Sequence, residues 1–325
     1  MTARLSRRHA LAALAFVAAP AALRAQAAFP RRPITVVVPF AAGGIADLTV
    51  RTLAPALAER LGQPVIVDNR PSAGAIVATE AVVRAAPDGH TLLLLSNANA
   101  VAVSLFRKLP YDVQRDLAPV VGIGAFDLGL FVRAEAPERT LADFLARARS
   151  RPGAPTIGTI SPGSTQHLAA ELFKTAAGID ALVVPYKASP AVLAALRSGE
   201  IDLAFEILGP MLPQVGAGAV RALAVTGARR NPALPEVPTV QEAGVEGYQV
   251  ASWNALAAPA ATPAAVIATL HEAVRSALAQ PALAQKLAAI GVRALPTDGQ
   301  AVRALVASEI ARWGDVIRRA KIEPQ

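Results

Sequence analysis

The chain has 325 residues, of which 53% are hydrophobic and 17% are charged, so it can form one large or two medium folded domains. It contains no cysteine, which excludes a disulfide framework, thiol chemistry and zinc sites of the cysteine type. The four histidines are scattered without the spacing of metal ligands, so we expect neither a metal nor a cofactor. These histidines are His9, His90, His167 and His271.

The net charge of +8 comes partly from the N-terminus. Residues 1–27 contain four arginines and no acid, so the rest of the chain carries 28 basic and 24 acidic side chains, a balance of +4. There is no dense basic cluster interleaved with aromatic residues, so nucleic-acid binding is not expected. A mild positive excess is compatible with attraction of anionic ligands.

Residues 1–27 have the pattern of an export signal. Three arginines precede an alanine- and leucine-rich core at residues 10–23, which is too short to span a bilayer with ease. Small residues at 25–28 suit cleavage, and Arg7-Arg8 also resembles a twin-arginine signal. We therefore expect cleavage near residues 25–28 and a periplasmic location. The alternative is an uncleaved membrane anchor.

The first predicted strand and the loop after it, residues 34–47, organise the N-terminal half. A short β-branched run suits a buried parallel strand, and Pro39 ends it because proline gives no N–H to a ladder. Gly43 and Gly44 allow a tight turn before a helix that begins near Asp47. Free amides at such a helix N-terminus favour an anion, so we expect this loop to hold a small carboxylate. Alternatively, the glycines only make a turn, and Asp47 caps its helix or orders water.

The following elements predict a parallel open sheet. Strands and helices alternate along the chain, at residues 34–38, 47–61 with an interruption at Pro55, 65–67, 76–85 and 91–95. Ligands lie beyond the carboxyl ends of the strands in such sheets. We therefore expect the loop that starts with Ser96 and Asn97 to face the same crevice as residues 40–47.

An apolar run at residues 120–132 is too long for one ordinary strand. We interpret it as a strand that leaves one domain and enters another near Phe126, with a second crossing near Val250. After the first crossing, Thr140 is a predicted helix N-cap with Asp143 three residues later.

The second half repeats the arrangement of the first loop. A strand at residues 156–160 precedes Ser161, Gly163, Ser164 and Thr165, followed by a helix to about residue 177, which predicts a second anion loop. Tyr186 and Glu206 lie at the ends of two further predicted strands, 183–186 and 201–205. Tyr186 either lines the cleft or is simply half-buried, and Glu206 is either a ligand contact or a solvated strand end. The remaining predicted elements are helices at 190–198, 211–217, 263–279, 281–290 and 297–317, and strands at 222–226 and 250–256.

Several separate motifs, in the same order, resemble the Bug-type solute receptors, which are the substrate-binding proteins of tripartite tricarboxylate transporters. The similarity covers nearly the whole chain after residue 27. The motifs include Val38-Pro39-Phe40, Gly43-Gly44, Asp47, Arg51, Leu61-Gly62-Gln63-Pro64, Asn69-Arg70, Pro87-Asp88-Gly89, Val184-Pro185-Tyr186-Lys187 and Trp253.

The resemblance implies an α/β protein with the type II periplasmic binding fold, in which two α/β domains joined by crossing hinge strands close on a small carboxylate. We expect domain 1 at residues 28–126 plus 251–325, and domain 2 at residues 127–250. A membrane permease of the tripartite tricarboxylate type is the implied partner, and we expect a monomer and no enzymatic activity. The expected ligand-binding residues are Phe40, Ala41, Gly43, Gly44, Asp47, Ser96, Asn97, Ser161, Gly163, Ser164, Thr165, Tyr186 and Glu206.

Three positions depart from the family pattern. Ser161 and Ala188 stand where the family commonly has glycine, and Glu206 stands where it often has aspartate. The longer Glu206 carboxylate either selects against a second ligand carboxylate or pairs with a ligand amine or hydroxyl.

Two other functions compete with transport. A receptor that signals to a membrane kinase would use the same closed form. An exported serine hydrolase would use Ser161 with His167, but the G-x-S-x-G pattern would require glycine at Thr159.

Overall fold

The computed structural model describes residues 29–325, so the predicted export signal lies outside the described residues. The strands are β1 (Ile34–Val38), β2 (Val65–Asn69), β3 (Thr91–Ser96), β4 (Leu117–Arg133), β5 (Thr156–Ile160), β6 (Leu182–Tyr186), β7 (Leu203–Ile207), β8 (Val220–Val225), β9 (Ala251–Pro259) and β10 (Arg293–Ala294). The α-helices are α1 (Ile45–Leu61), α2 (Ile76–Val83), α3 (Asn97–Leu105), α4 (Leu141–Ser150), α5 (Thr165–Ala177), α6 (Ser189–Ser198), α7 (Leu208–Gly216), α8 (Ala264–Leu278), α9 (Pro281–Ala289) and α10 (Gly299–Arg319). No helix among these is long and apolar enough to cross a membrane.

The strands form a continuous sheet with two parallel ends. At one end β1 lies between β2 and β3 and is parallel to both, and at the other β5 lies between β6 and β7 and is parallel to both. The order along the sheet is β2-β1-β3-β9-β4-β7-β5-β6, with β8 and β10 also paired to β4. The predicted strand–helix alternation in each half is therefore confirmed.

Strand β4 belongs to both halves. Its first part, through Asp127, pairs antiparallel with β9, and its second part, from Leu128, pairs antiparallel with β7. The apolar run that exceeds an ordinary strand in length is thus one 17-residue strand shared by two α/β units. Its residues are almost all buried because both parts are covered by neighbouring strands and helices.

A buried threonine ties the two crossing segments together. The Thr226 hydroxyl accepts the backbone N–H of Leu128 at 3.0 Å and donates to the Val250 carbonyl at 2.7 Å. Leu128 lies just past the first predicted crossing, and Val250 directly precedes β9. The exact domain boundaries, at residues 126/127 and 250/251, stay a prediction.

Two local predictions are wrong. Helix α1 continues through Pro55 without interruption, and the expected loop after Ser96 is instead the start of helix α3. Proline removes one intrahelical hydrogen bond, but the buried face of α1, which includes Leu53 and Leu57, holds the helix against the sheet. Ser96 caps α3 through a capping box with Asn99, and this pair of residues is the local signal for a helix start.

Candidate ligand-binding site

The first predicted loop has the expected backbone geometry. Gly43 adopts a φ of +84°, a conformation that favours glycine, and Gly44 is the extended N-cap of α1. Residues 41–44 are exposed, whereas the helix is buried from its first residue, Ile45. The loop therefore lies at the surface, beyond the carboxyl end of β1.

Asp47 holds this loop in shape. Its carboxylate accepts the Gly43 N–H at 2.8 Å, the Arg51 guanidinium at 2.9 Å and the Asn69 amide at 3.0 Å. Asn69 also donates to the Phe40 carbonyl at 3.0 Å, so both ends of the loop are tied to β2. Burial raises the pKa of Asp47, but the hydrogen bonds from Arg51, Gly43 and Asn69 outweigh it, and the net pKa is lowered.

The second predicted loop repeats this arrangement. Gly163 has a φ of +77°, Ser164 is the N-cap of α5, and the Gly163 N–H points to Nδ1 of His167 at 3.4 Å. Asp47 and His167 are each the third residue of their helix, and each accepts from the glycine four positions earlier. Burial lowers the pKa of His167, which favours the neutral ring that this acceptor role requires.

Each loop leaves at least two helix-terminal amides without a partner. Among residues 29–325, no hydrogen bond uses the N–H groups of Ile45 and Ala46 in α1 or of Thr165 and Gln166 in α5. The helix dipole adds partial positive charge at the same place. The two loops therefore have the donors and the electrostatic sign that a carboxylate needs.

Asn97 links the two halves of the site. Its amide donates to the Thr165 hydroxyl at 3.0 Å, and its carbonyl accepts from Trp313 Nε1 at 2.7 Å. Gly163 packs on the same helix, so closely that a Cβ on it would lie 2.2 Å from Leu105 Cδ2. The structure thus brings the second loop against α3. No hydrogen bond within the described residues joins the first loop to the second.

The other predicted residues have local partners. The Ser96 N–H donates to Asn99 at 2.9 Å, and the Ser161 N–H donates to the Tyr186 carbonyl at 2.9 Å. The Tyr186 hydroxyl donates to Glu200 at 2.7 Å; burial and this carboxylate raise the pKa of Tyr186 to about 12. The Tyr186 hydroxyl is therefore a neutral donor that is already in use.

Glu206 is among the least accessible predicted residues: Asp47, Asn97 and Glu206 each have a relative exposure of 1%. Its Oε2 atom accepts from Ser189 Oγ at 2.8 Å, while its Oε1 atom is buried and unpartnered. Burial raises the pKa of this carboxyl despite the hydrogen bonds from Ser189, Gln166 and the Ile207 amide.

Sequence reasoning missed Asn254. This β9 residue pairs in register with Ser96 of β3, is 2% exposed, and has both side-chain polar atoms buried and unpartnered. A polar residue inside the apolar run Trp253-Asn254-Ala255-Leu256 was the available signal. Buried unpartnered groups in a native protein call for an explanation, and a ligand is one.

Replacing Asn254 with leucine tests whether the two unpartnered polar atoms of this residue destabilise the folded protein. Because leucine has a similar volume and removes two unpartnered polar groups, we expect the free energy of unfolding to rise by about 1–2 kcal/mol. Denaturant unfolding measures the change. The matched control is Asn99→Leu, since Asn99 is equally buried but bonded to Ser96 and Thr79, and this variant should lose stability. Destabilisation of similar size in both variants would contradict the expectation.

A groove of about 630 Å³ elsewhere on the surface contains none of the predicted residues. It runs between α8 and α10 and is lined by His271, Asp298 and Arg303, among others. Its charged side chains have both signs, so it offers no distinct preference for an anion.

Comparisons with known proteins agree with this architecture. A family model described as "Tripartite tricarboxylate transporter family receptor" matches residues 49–322. Protein BugT of Bordetella pertussis is 35% identical over 292 residues, which are 89% of this chain and 90% of BugT.

Two solved structures with bound carboxylates are also similar. R. palustris Rpa4515 with adipate has a TM-score of 0.83 and 36% identity, and covers 92% of this chain and 100% of its own. MatC from Rhodopseudomonas palustris with bound malate has a TM-score of 0.77 and 33% identity, and covers 89% of this chain and 100% of its own. The two-domain periplasmic binding fold expected from the sequence is thereby confirmed. The chain belongs to the Bug-type family of tripartite tricarboxylate transporter receptors, which are periplasmic solute-binding proteins.

Proposed function

We propose that this protein is a non-enzymatic receptor that binds a small carboxylate between its two glycine loops and delivers it to a membrane permease of the tripartite tricarboxylate type. The observation that carries the proposal is the pair of similar loops, each with at least two unpartnered helix-terminal amides. Such amides bind anions without a charged side chain. Adipate in Rpa4515 and malate in MatC are ligands of the expected class.

The proposed site comprises the residues expected from the sequence, but they have different roles. Gly43, Gly44, Gly163 and Ser164 shape the loops, with Phe40 and Ala41 in the first loop and Ser161 and Thr165 in the second. Asp47 holds the first loop, and the Tyr186 carbonyl and the Asn97 amide hold the second loop through the hydrogen bonds described above. Ser96 instead shapes the start of α3. Domain 1 at residues 28–126 plus 251–325 and domain 2 at residues 127–250 would close on the ligand as a hinge.

The proposal extends to location and assembly. We infer that residues 1–27 direct export and that a monomeric receptor acts in the periplasm. Mass spectrometry of the protein from the periplasmic fraction tests the first point, since an intact Met1 in that fraction would contradict it. The elution volume of the protein in gel filtration tests whether it is a monomer.

Mass spectrometry of the small molecules released when the purified protein is denatured tests the ligand class. A small organic acid, released in stoichiometric amount, is the expected result. Calorimetric titration with malate and adipate then checks affinity directly. Release of a neutral or cationic solute, combined with no heat from any carboxylate, would overturn the proposal.

The variant Gly44→Val tests the first loop. Gly44 has a φ of −77°, and a Cβ there would meet only the Ala41 carbonyl oxygen at 3.6 Å, an ordinary contact. The substitution should therefore leave the fold intact while the side chain blocks close approach to the amides. We expect ligand affinity to fall at least about tenfold, or 1.4 kcal/mol, by calorimetry. Gly44→Ala should cause a smaller loss. Unchanged affinity in a folded Gly44→Val protein would remove this loop from the site.

A further inference from the structure

Glu206 lies where the N-termini of three helices meet in the second half of the sheet. It is the penultimate residue of β7, and Ile207 after it is the N-cap of α7. Gln166 is the second residue of α5, directly after the second loop, and Ser189 is the first residue of α6. A carboxylate at this point is favoured by the positive ends of the helix dipoles.

The two oxygens of this carboxylate are in different environments. Oε2 accepts from Ser189 Oγ at 2.8 Å, from the Ile207 N–H at 3.3 Å and from Gln166 Nε2 at 3.4 Å. Oε1 accepts nothing, although it is buried. All three protein donors converge on one oxygen, so the orientation of the side chain is set and Oε1 is left as a vacant acceptor.

A vacant buried acceptor is costly unless a donor completes it when the ligand binds. The adjoining residues of the second loop are the ones proposed to bind the ligand, and Gln166 connects that loop to Glu206 directly. When Glu206 is ionised, a second ligand carboxylate placed at Oε1 would meet a like charge and no donor. A hydroxyl or ammonium group would supply the missing hydrogen bond.

We propose that Glu206 makes this receptor selective for carboxylates that carry a hydroxyl or amino group, over the corresponding unsubstituted acids. The proposal rests on the carboxylate-receptor function proposed above and specifies its substrate class. It assigns Glu206 a specificity role in addition to any structural one.

Calorimetry with matched ligands at pH 7.5 tests the proposal on the purified wild-type protein. The four-carbon set is succinate, malate and aspartate, and the six-carbon set is adipate, 2-hydroxyadipate and 2-aminoadipate. In whichever set binds, at least one substituted acid should bind tenfold or more tightly than the unsubstituted acid. Equal affinities within the set would overturn the selectivity role and leave the carboxylate function standing. No binding by any member of either set, combined with release of a neutral or cationic solute when the protein is denatured, would overturn both.

The variant Glu206→Gln sharpens the test because it changes the chemistry of the vacant atom. The donors from Ser189, Gln166 and Ile207 would fix the amide oxygen at the Oε2 position, which puts an NH₂ donor where Oε1 was. The preference for the substituted acid should therefore fall at least tenfold or reverse. The matched control is Glu236→Gln, which makes the same charge change at an exposed residue in the same half of the chain, and it should keep the wild-type ratio. An unchanged ratio in folded Glu206→Gln would overturn the proposal, and the wild-type comparison decides it if that variant does not fold.

Discussion

Replacing Asp47 with alanine is expected to lower the free energy of unfolding by about 2 kcal/mol, because hydrogen bonds to a charged group contribute about 1.5–3 kcal/mol to stability. The Gly43 N–H and the Asn69 amide lose their acceptor, while Arg51 is half exposed and can be solvated. The estimate therefore sits at the lower end of the range. Urea unfolding at pH 7 measures the change.

The affinity for the ligand should decrease together with the stability, because the Asp47 carboxylate accepts hydrogen bonds from both Gly43 and Asn69 and so holds the loop in shape. We expect calorimetry on the folded fraction of Asp47→Ala to show at least tenfold weaker binding of the ligand that the wild-type protein retains. A loss of stability below 1 kcal/mol, with normal affinity, would mean that the loop keeps its shape without this carboxylate.

The variant Asp47→Asn separates charge from shape and gives a pH test. The folded-state pKa of Asp47 is lowered from its ordinary value of 3.8, so its contribution to stability is present above that value and is lost as pH falls through the folded-state pKa. Asparagine cannot titrate. The stability difference between wild type and Asp47→Asn should therefore be largest near neutral pH and shrink below pH 3.8. A constant difference across this range would contradict the assignment.

Replacing Gly163 with alanine is expected to cost about 3 kcal/mol of stability for two separate reasons. A non-glycine residue in the left-handed region costs roughly 1–2 kcal/mol, and Gly163 has a φ of +77°. The new Cβ would also lie 2.2 Å from Leu105 Cδ2, and relieving such overpacking typically costs about 1–3 kcal/mol. Because the contact joins the second loop to α3, this variant should also displace the loop and weaken ligand binding.

A matched glycine separates the two costs. Gly178, which ends α5 with a φ of +61°, has no atom within 4 Å of the position of a Cβ. Gly178→Ala should therefore show only the backbone cost, about 1 kcal/mol. In a Leu105→Ala background, where the crowded side chain is absent, the cost of Gly163→Ala should fall to the same level. Equal losses for the two glycine variants in the wild-type background would show that the Leu105 contact is unimportant.

Local physical chemistry made much of the fold predictable. β-branched runs gave the buried strands, and Thr140 with Asp143 predicted a helix start that the structure confirms with both capping hydrogen bonds. The excessive length of the apolar run in β4 was enough to predict a strand shared between two α/β units. These features depend on residues within a few positions of each other, or on simple length, so they can be read without knowing the fold.

The site was predictable only in part. The pattern of glycine followed by a helix start identified both loops. It did not show that the Asp47 carboxylate would accept a hydrogen bond from Asn69, which lies 22 residues away. The link from Asn97 to Trp313 spans 216 residues. Pairing of β3 with β9 placed Asn254 beside Ser96, and nothing near either residue along the chain indicates this.

By itself, the amino-acid order determined most of the strands, which turns need glycine, and that two similar amide-bearing loops exist. Only the tertiary structure decided which polar atoms are already satisfied and which, as in Glu206 and Asn254, are left without a partner. The physical reason is that hydrogen-bond satisfaction is a property of neighbours in space. A donor and its acceptor come from distant positions that only the folded sheet and its packed helices bring within 3 Å.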